Sequence, residues 1–278
     1  MPFESSAEHS DIKRELNKLN AKGRSAVWVL PSNRYRLMTI DKPAVPDEEL
    51  EAAIQWQIKD LIDTTLEQAV ICSFPYPKQM VGAEKLYVVV AAKHDIEAII
   101  QLSDDAGLSL LAIEIEELTI GRILSPQLHG EQNVAFIAET AGGLTINCFM
   151  GNEFAFTRSL PGVYLPSQTS EFTLDDEAGN SVASVDDEQW LLEVQRTLDY
   201  YESQIAKRNI SKVIIPELSD ATELIVEQLK NNLGLQVEVF SVADICQYEP
   251  AAISGELAQY FPILGGALRQ QVGENAAG

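Results

Sequence analysis

The sequence predicts a mixed α/β (α+β) fold in which helices cover partly parallel sheets, and three observations support this. Residues 34–115 follow the order β-α-β-β-α-β, which is typical of a compact split βαβ module. Residues 134–158 consist of short apolar segments separated by glycine turns, which predicts an antiparallel meander. After residue 188, helical patterns alternate with strand patterns, so part of the second sheet should be parallel.

The elements of the first half are predicted by apolar periodicity and by the residues that begin or end helices. The clearest helix has Pro46 at its first position, acidic residues directly after it, and an apolar stripe that excludes Trp56. A short helix at Ser10–Leu19 is predicted within the polar lead-in 1–24. The other predictions are strands at Ser25–Leu30, Arg34–Ile40, Gln68–Pro75, Lys85–Ala92 and Leu108–Ile115, and helices at Pro46–Ile62, at Ile96–Ala106 with Asp95 as its cap, and at Glu116–Leu124.

The second half begins with the meander and continues with alternating elements. Ser159–Asp187 is rich in polar residues, glycine and proline, and this composition predicts a long mobile connection. The predicted strands are Val134–Ala138, Leu144–Met150, Glu153–Thr157, Lys212–Ile215 and Gln236–Phe240, and the predicted helices are Glu188–Lys207, Ala221–Leu233 and an interrupted stretch at Glu256–Gln271.

The composition is strongly acidic: 42 Asp and Glu stand against 20 Lys and Arg, for a net charge of −22. Such a surface repels nucleic acid and anionic lipid, and it attracts basic partners such as the juxtamembrane tails of membrane proteins. Acidity that serves solubility alone is the other interpretation. No apolar run approaches the ~18 residues that a membrane span needs, and no signal peptide is apparent. We therefore expect a cytoplasmic protein.

Few residues are candidates for enzyme chemistry. Cys72, Cys148 and Cys246 have no CxxC spacing, so we interpret them as reduced core thiols and expect no metal site. The histidines lie outside any catalytic motif, and no nucleophile elbow, zinc-protease helix or Walker loop occurs. The turn at Gly142-Gly143 has two interpretations, a plain hairpin or a loop that holds phosphate before a threonine.

Several segments together resemble the PilM-like actin-fold family of type IV pilus assembly, and within it the branch of mannose-sensitive haemagglutinin (MSHA) pili. The segments are VPDEELEAAIQWQIKDLI, KLYVVVAAKHDIEAIIQLSDDAGLSLLAIEIEEL, FAFTRSL, EVQRTLDYYESQ and GGALR. The resemblance implies an actin-like, FtsA-like fold of two lobes with a subdomain inserted in a truncated first lobe. It assigns 1–33 and 116–130 to the first lobe, 34–115 to the insertion, and 131–278 to the second lobe, with a mobile loop at about 160–187.

The family's nucleotide motifs are degenerate in this sequence. No Asp-x-Gly motif occurs in residues 1–40, Ala141 stands where the family has glycine, and Pro216–Asp220 lacks the glycines of the adenosine loop. Glu139 stands where the family has aspartate. The longer carboxylate of Glu139 and the added Cβ of Ala141 both weaken phosphate and metal binding. We expect no ATPase activity and no cofactor, with ATP and Mg²⁺ as the alternative. What remains of the nucleotide site would be Glu139, Gly142, Gly143, Thr145, Gly265 and Gly266.

The resemblance implies a non-catalytic adaptor that docks the basic cytoplasmic tail of a PilN-like bitopic inner-membrane protein. Trp56 would anchor an apolar side chain of that tail, and Glu48, Glu51 and Asp60 would pair with its Lys and Arg residues. In the other interpretation, Trp56 packs in the core. Two further functions stay open: an ATP-binding switch of pilus assembly, and a cytoplasmic L-type component of a type II secretion system, which normally carries a membrane helix not found here. A homodimer is also considered.

Overall fold

The structure, a computed structural model, describes residues 6–77, 84–140, 142–166, 189–217, 222–245 and 260–269. The chain divides into two units. The first comprises the described residues up to Arg122 together with those from Pro262 onward, so it is built from both ends of the chain. The second extends from Ile123 to Phe261. The domain boundaries expected from the sequence stay predictions.

The first unit contains two separate sheets. Strands β2 and β3 flank β4 in an antiparallel sheet, while β1 and β5 form a parallel pair. The elements are α1 (Ser6–Lys18), β1 (Ser25–Leu30), β2 (Tyr35–Asp41), α2 (Asp47–Ile58), β3 (Ala69–Pro75), β4 (Lys85–Ala92), α3 (Lys93–Asp105), β5 (Ser109–Ile115) and α4 (Glu116–Leu124), whose last residues belong to the second unit.

The position of β5 differs from the sequence prediction. Leu108–Ile115 is predicted to complete the β-α-β-β-α-β module, but the structure pairs β5 with β1, from Ser25 opposite Ser109 to Leu30 opposite Ile115, with a shift in register between Ala26 and Val27. The strand pattern alone predicts that a segment is extended and partly buried, but it does not specify the partner. The three-stranded sheet is therefore completed without β5.

Helix α2 packs on one face of the three-stranded sheet. Ile54 and Ile58 are its buried residues, with Leu50 partly buried beside them. The alternate residues of the strands face this helix and form a shared core of Ile40, Ile54, Ile58, Leu86, Val88 and Val90. The helix ends at Ile58 rather than at Ile62, because the Leu61 N–H bonds the Ile58 carbonyl 2.8 Å away and turns the chain.

The start of α3 corrects a second sequence prediction. The helix begins at Lys93 after Ala92, so Asp95 lies in its first turn and is not the N-cap. The Asp95 carboxylate is buried and lies 3.6 Å from Arg34 Nη1. A carboxylate in the first turn of a helix interacts favourably with the positive end of the helix dipole. The Asp95 carboxylate also pairs with the Arg34 guanidinium. It therefore stabilises the start of α3 without capping a backbone N–H.

The second unit is a five-stranded mixed sheet in the order β10-β9-β6-β7-β8. The meander β6–β7–β8 is antiparallel, as predicted, and β9 and β10 are parallel to β6. The core on one face includes Trp190, Val194 and Leu198 from α5. The elements are β6 (Asn133–Thr140), β7 (Gly143–Met150), β8 (Glu153–Pro161), α5 (Gln189–Tyr200), β9 (Lys212–Pro216), α6 (Thr222–Leu233), β10 (Val237–Phe240) and α7 (Phe261–Ala267), which continues into the first unit.

The predicted helix Glu188–Lys207 is two elements, because α5 passes into a π-helical turn at Tyr201–Ala206. The Tyr201 hydroxyl is buried and donates to Asn133 Oδ1 at 3.2 Å. The turn ends at Lys207, whose φ of +54° places it in the left-handed region. A wider π turn redirects the side chains that follow, and this change is not visible in a 3.6-residue pattern.

Some sequence predictions need correction or lie outside the described residues. Ser159 belongs to β8, so the predicted mobile connection starts too early; its residues 167–188 are not described. Cys72 is exposed and not a core thiol, Cys148 is buried, and Cys246 lies outside the described residues. The same applies to 218–220 of the glycine-free loop and to both ends of Glu256–Gln271.

Candidate functional site

The outward face of α2 is the first candidate surface. Its apolar stripe is held against the sheet by Ile54 and Ile58, so residues on the opposite side of the helix must face solvent. Trp56 is 71% exposed, which rules out the interpretation that it packs in the core. A tryptophan with this much exposed area on a helix surface is available to a partner.

Helical geometry sorts the predicted partner residues around this surface. At 100° per residue, Glu49 lies within about 20° of Trp56, whereas Glu51 lies about 140° away, on another flank of the helix. Asp60 follows the helix end and is exposed, as is Glu48. Helical geometry therefore separates Glu51 from Trp56, and Asp60 lies four residues after Trp56, just beyond the helix end.

Two residues of this surface were missed by sequence reasoning. Glu49 shares the outward face of Trp56, and it is exposed. Lys59, the C-cap residue, places its Nζ 4.2 Å from the centroid of the Trp56 ring. The i to i+3 spacing from Trp56 to Lys59 is the signal that could have predicted this contact. The α2 surface is defined from here on as Glu48, Glu49, Trp56, Lys59 and Asp60.

The hairpin between β6 and β7 is the second candidate, because it corresponds to the predicted phosphate loop. Glu139 does not face an open loop, since its Oε2 accepts a hydrogen bond from the Leu165 N–H at 3.0 Å. The carbonyl of Gly142 accepts from the Gly162 N–H at 3.1 Å. Thr145 is half-buried within β7. The chain that follows β8 thus occupies polar groups of the hairpin.

Gly143 allows the hairpin to lie very close to the end of β8. Its φ is +136°, and a Cβ there would lie 2.3 Å from the Leu160 carbonyl oxygen and 2.9 Å from the Gly162 nitrogen. Only glycine fits such a backbone conformation at such a distance. The Thr140 hydroxyl adds a bond to the Gly143 carbonyl at 2.9 Å. The glycine is therefore required by packing of the chain on itself, whether or not a phosphate binds.

Gly265 and Gly266 belong to the first unit, whereas the hairpin belongs to the second. A Cβ at Gly265 would lie 2.0 Å from the Thr119 carbonyl oxygen. One at Gly266 would lie 2.9 Å from Val29 Cγ2. Both glycines let α7 approach the backbone of α4 and the side chains of β1, so packing accounts for them.

Sequence analysis did not single out a buried ion-pair cluster at the junction of β5 and α4. Glu114 is buried, and Arg122 binds both of its oxygens, at 2.8 and 2.9 Å. Arg269 donates to the same carboxylate, and Arg122 also donates to the Gly265 carbonyl at 2.7 Å. A bidentate arginine is the geometry that best compensates a buried carboxylate. This cluster ties the C-terminal segment to β5.

Two further glutamates hold the connector between β1 and β2. The Tyr35 hydroxyl donates to Glu117 Oε2 at 2.5 Å, and burial, together with the charge of Glu117, raises the pKa of Tyr35. Burial also raises the pKa of Glu117. Burial and the charge of Glu117 raise the pKa of Glu116 to about 7, although Ser32 donates hydrogen bonds to it. These hydrogen bonds join the start of α4 to Ser32 and Tyr35, so both glutamates stabilise the packing of α4 on this connector.

Among the described helices, none combines the length and the apolar character that a membrane crossing requires. Within the same described ranges, no group of three or more His, Cys, Asp or Glu side chains is arranged to hold a metal ion.

Comparison with known proteins places the fold. No family model matches the sequence, and no curated protein matches it. A solved PilM-PilN type IV pilus biogenesis complex is similar with a TM-score of 0.69 and 19% identity, over 97% of this chain and 86% of that one. The cytoplasmic domain of EpsL, an inner-membrane component of the type II secretion system of Vibrio cholerae, follows with 0.48 and 14%, over 93% and 80%.

A Bacteroides thetaiotaomicron protein with an actin-like ATPase fold and unknown function is similar with a TM-score of 0.44 and 14% identity, over 84% of this chain and 76% of that one. The fold of the present chain is the actin-like α/β fold, as predicted. Its similarity to PilM is a similarity of fold, since the sequence identity is low.

Proposed function

We propose that this chain is a non-catalytic adaptor in the inner-membrane assembly platform of a type IV pilus. Its partner is the basic cytoplasmic tail of a PilN-like bitopic protein, and the platform is that of MSHA pili, in the role of the biogenesis protein MshI. The likeness of fold to a structure of a PilM-PilN complex over 97% of the chain is the observation that carries this proposal. The adaptor resides in the cytoplasm and reaches the membrane through this partner, without inserting itself and without binding nucleic acid.

The α2 surface supports the partner assignment. It exposes Trp56 as a large apolar anchor, with exposed carboxylates in the first turn of the same helix, at Glu48 and Glu49, and just after its end, at Asp60. A basic tail is attracted to such a surface by charge and is then fixed by burial of the aromatic ring. The net charge of −22 adds a longer-range attraction for the same kind of partner.

The hairpin supports the non-catalytic part of the proposal. Glu139 accepts a bond from the Leu165 N–H, and Gly143 packs against the Leu160 carbonyl, so the carboxylate that would face a metal ion is engaged and the chain lies close to the loop. The family's first motif has no counterpart in residues 1–40. Binding of ATP with Mg²⁺ at micromolar concentrations, measured by calorimetry, would instead favour an ATP-dependent switch.

Fluorescence polarisation of a labelled PilN-like tail tests the adaptor function. Wild type and Trp56→Ala are compared at low salt and at about 1 M salt, where the Debye length falls to about 3 Å. We expect Trp56→Ala to weaken binding about tenfold or more, because an aromatic hot spot is typically worth about 2 kcal/mol or more. High salt should weaken both proteins.

Leu192→Ala is the matched control, since Leu192 is 46% exposed on α5 and lies outside the α2 surface. Circular dichroism confirms that each variant is folded. Equal binding by folded Trp56→Ala and wild type, with no effect of salt, would place the tail elsewhere. No binding of the tail by wild type would refute the adaptor function itself.

A further inference from the structure

The ring of Trp56 already has a cation on one face. Lys59 Nζ lies 4.2 Å from the ring centroid, inside the ~6 Å range of cation–π attraction. The tryptophan is nevertheless 71% exposed, so the ammonium covers only a small part of it. Both side chains belong to the exposed end of α2, where nothing in the described structure packs over them.

The charges of α2 and of the whole chain favour a cation from outside. Asp47, Glu48, Glu49 and Asp60 are exposed, and none of them forms an ion pair with another described residue. Lys59 is the single cation within α2 and its C-cap. Asp60 is next to Lys59, whereas Asp47, Glu48 and Glu49 lie in the first turn, about 10 Å or more along the helix axis from Trp56. Together with the net charge of −22, these carboxylates attract a second basic side chain to the helix that carries Trp56.

We propose that the face of Trp56 is a binding site for a Lys or Arg side chain of the partner's basic segment, and that Lys59 occupies this site while no partner is bound. The inference rests on the proposed function and makes its chemistry specific. Trp56 then recognises a cation, whereas an apolar anchor would recognise a Leu or Ile. A partner cation that uses the same face of the ring must displace Lys59, so Lys59 acts as an internal competitor for that face.

The first experiment removes the competitor. The probe is a fluorescein-labelled peptide of six Lys alternating with Ala, and its counterpart in which all six Lys are acetylated. Lys59→Gln removes the ammonium and keeps a good helix former. We expect it to tighten binding of the Lys peptide about two- to fivefold, which corresponds to a surface cation–π contact. Lys230→Gln on α6 is the matched control, because it makes the same charge change on an exposed face of the second unit.

The second experiment changes the ring. Trp56→Leu keeps an apolar side chain without a π face, and Trp56→Phe keeps a weaker one. We expect affinity for the Lys peptide to fall in the order Trp, Phe, Leu. In the double variant Lys59→Gln with Trp56→Leu, the gain from Lys59→Gln should shrink to that of Lys230→Gln, because the competed site is gone. Circular dichroism confirms that the variants are folded.

The results separate this inference from the proposed function. A Lys59→Gln gain no larger than that of Lys230→Gln, full affinity in Trp56→Leu, or equal binding of the acetylated peptide would each overturn the cation site. If the PilN-like tail still binds wild type in those cases, the adaptor function stands. If neither the tail nor the Lys peptide binds, both are refuted.

Discussion

Replacing Glu116 with glutamine should change the pH dependence of stability. Glu116 is the first residue of α4, and burial and the charge of Glu117 raise its pKa from 4.5 to about 7. An acid whose pKa is higher in the folded state stabilises that state at low pH. Its contribution is complete below about pH 4.5 and is lost as the pH rises through about 7. Above that pH, wild type carries a poorly solvated charge that Glu116→Gln lacks.

The magnitude follows from the size of this shift. One pKa unit corresponds to about 1.4 kcal/mol, so the full shift from 4.5 to about 7 amounts to about 3 kcal/mol. Glu116 is only partly buried, and solvent screens part of this energy. We therefore expect Glu116→Gln to be more stable than wild type by about 1–2 kcal/mol at pH 8, and equal or slightly less stable at pH 5, where Ser32 loses a good acceptor.

The assay is urea unfolding of both proteins at pH 5 and pH 8, followed by far-UV circular dichroism. Glu153→Gln serves as the control, since Glu153 is exposed at the start of β8. The quantity of interest is the difference between variant and wild type at each pH, which cancels most errors of extrapolation. If Glu116→Gln changes stability equally at both pH values, the carboxylate does not titrate in this range and the reasoning is wrong.

Two other predictions concern the glycines and the lost chemistry. Gly265→Ala should lower the thermal stability by about 1–3 kcal/mol or more, because its Cβ would meet the Thr119 carbonyl oxygen at 2.0 Å; an unchanged melting temperature would show that the close approach of α7 is not needed. The purified chain should release no phosphate from ATP, and Glu139→Asp with Ala141→Gly should not restore turnover, since no Asp-x-Gly motif occurs in residues 1–40. Phosphate release that Thr145→Ala abolishes would contradict this.

The sequence predicted the elements better than their partners. The period of Leu50, Ile54 and Ile58 predicted α2, and glycine turns predicted the meander, because both signals are local. The pairing of β5 with β1 depends on contacts across most of the first unit, which no local pattern encodes. The π turn at Tyr201–Ala206 changes the helical pitch. The apolar pattern of the sequence is compatible with an uninterrupted α-helix as well as with this turn, so it does not reveal the change.

Prediction of the candidate site from the sequence was limited in the same way, because it also depends on tertiary contacts. Helical spacing placed Trp56 off the core stripe, but whether solvent or a neighbouring strand covers it depended on tertiary packing. The contact between Glu114 and Arg269 joins residues 155 positions apart, and a sequence this rich in carboxylates gives no reason to select one of them. Packing reasons for Gly265 could be seen only once α4 lay beside it.

The discontinuity of the first unit has a consequence for synthesis on the ribosome. Glu114 is translated long before Arg269, the residue that completes its shell of cations, and Gly265 arrives equally late. The described residues of the second unit all lie between Ile123 and Phe261, so this unit can fold while the chain is still being extended. The first unit must instead wait, incompletely assembled, until the last residues emerge. Chains truncated before Gly265 should therefore expose its unfinished surface to chaperones and proteases.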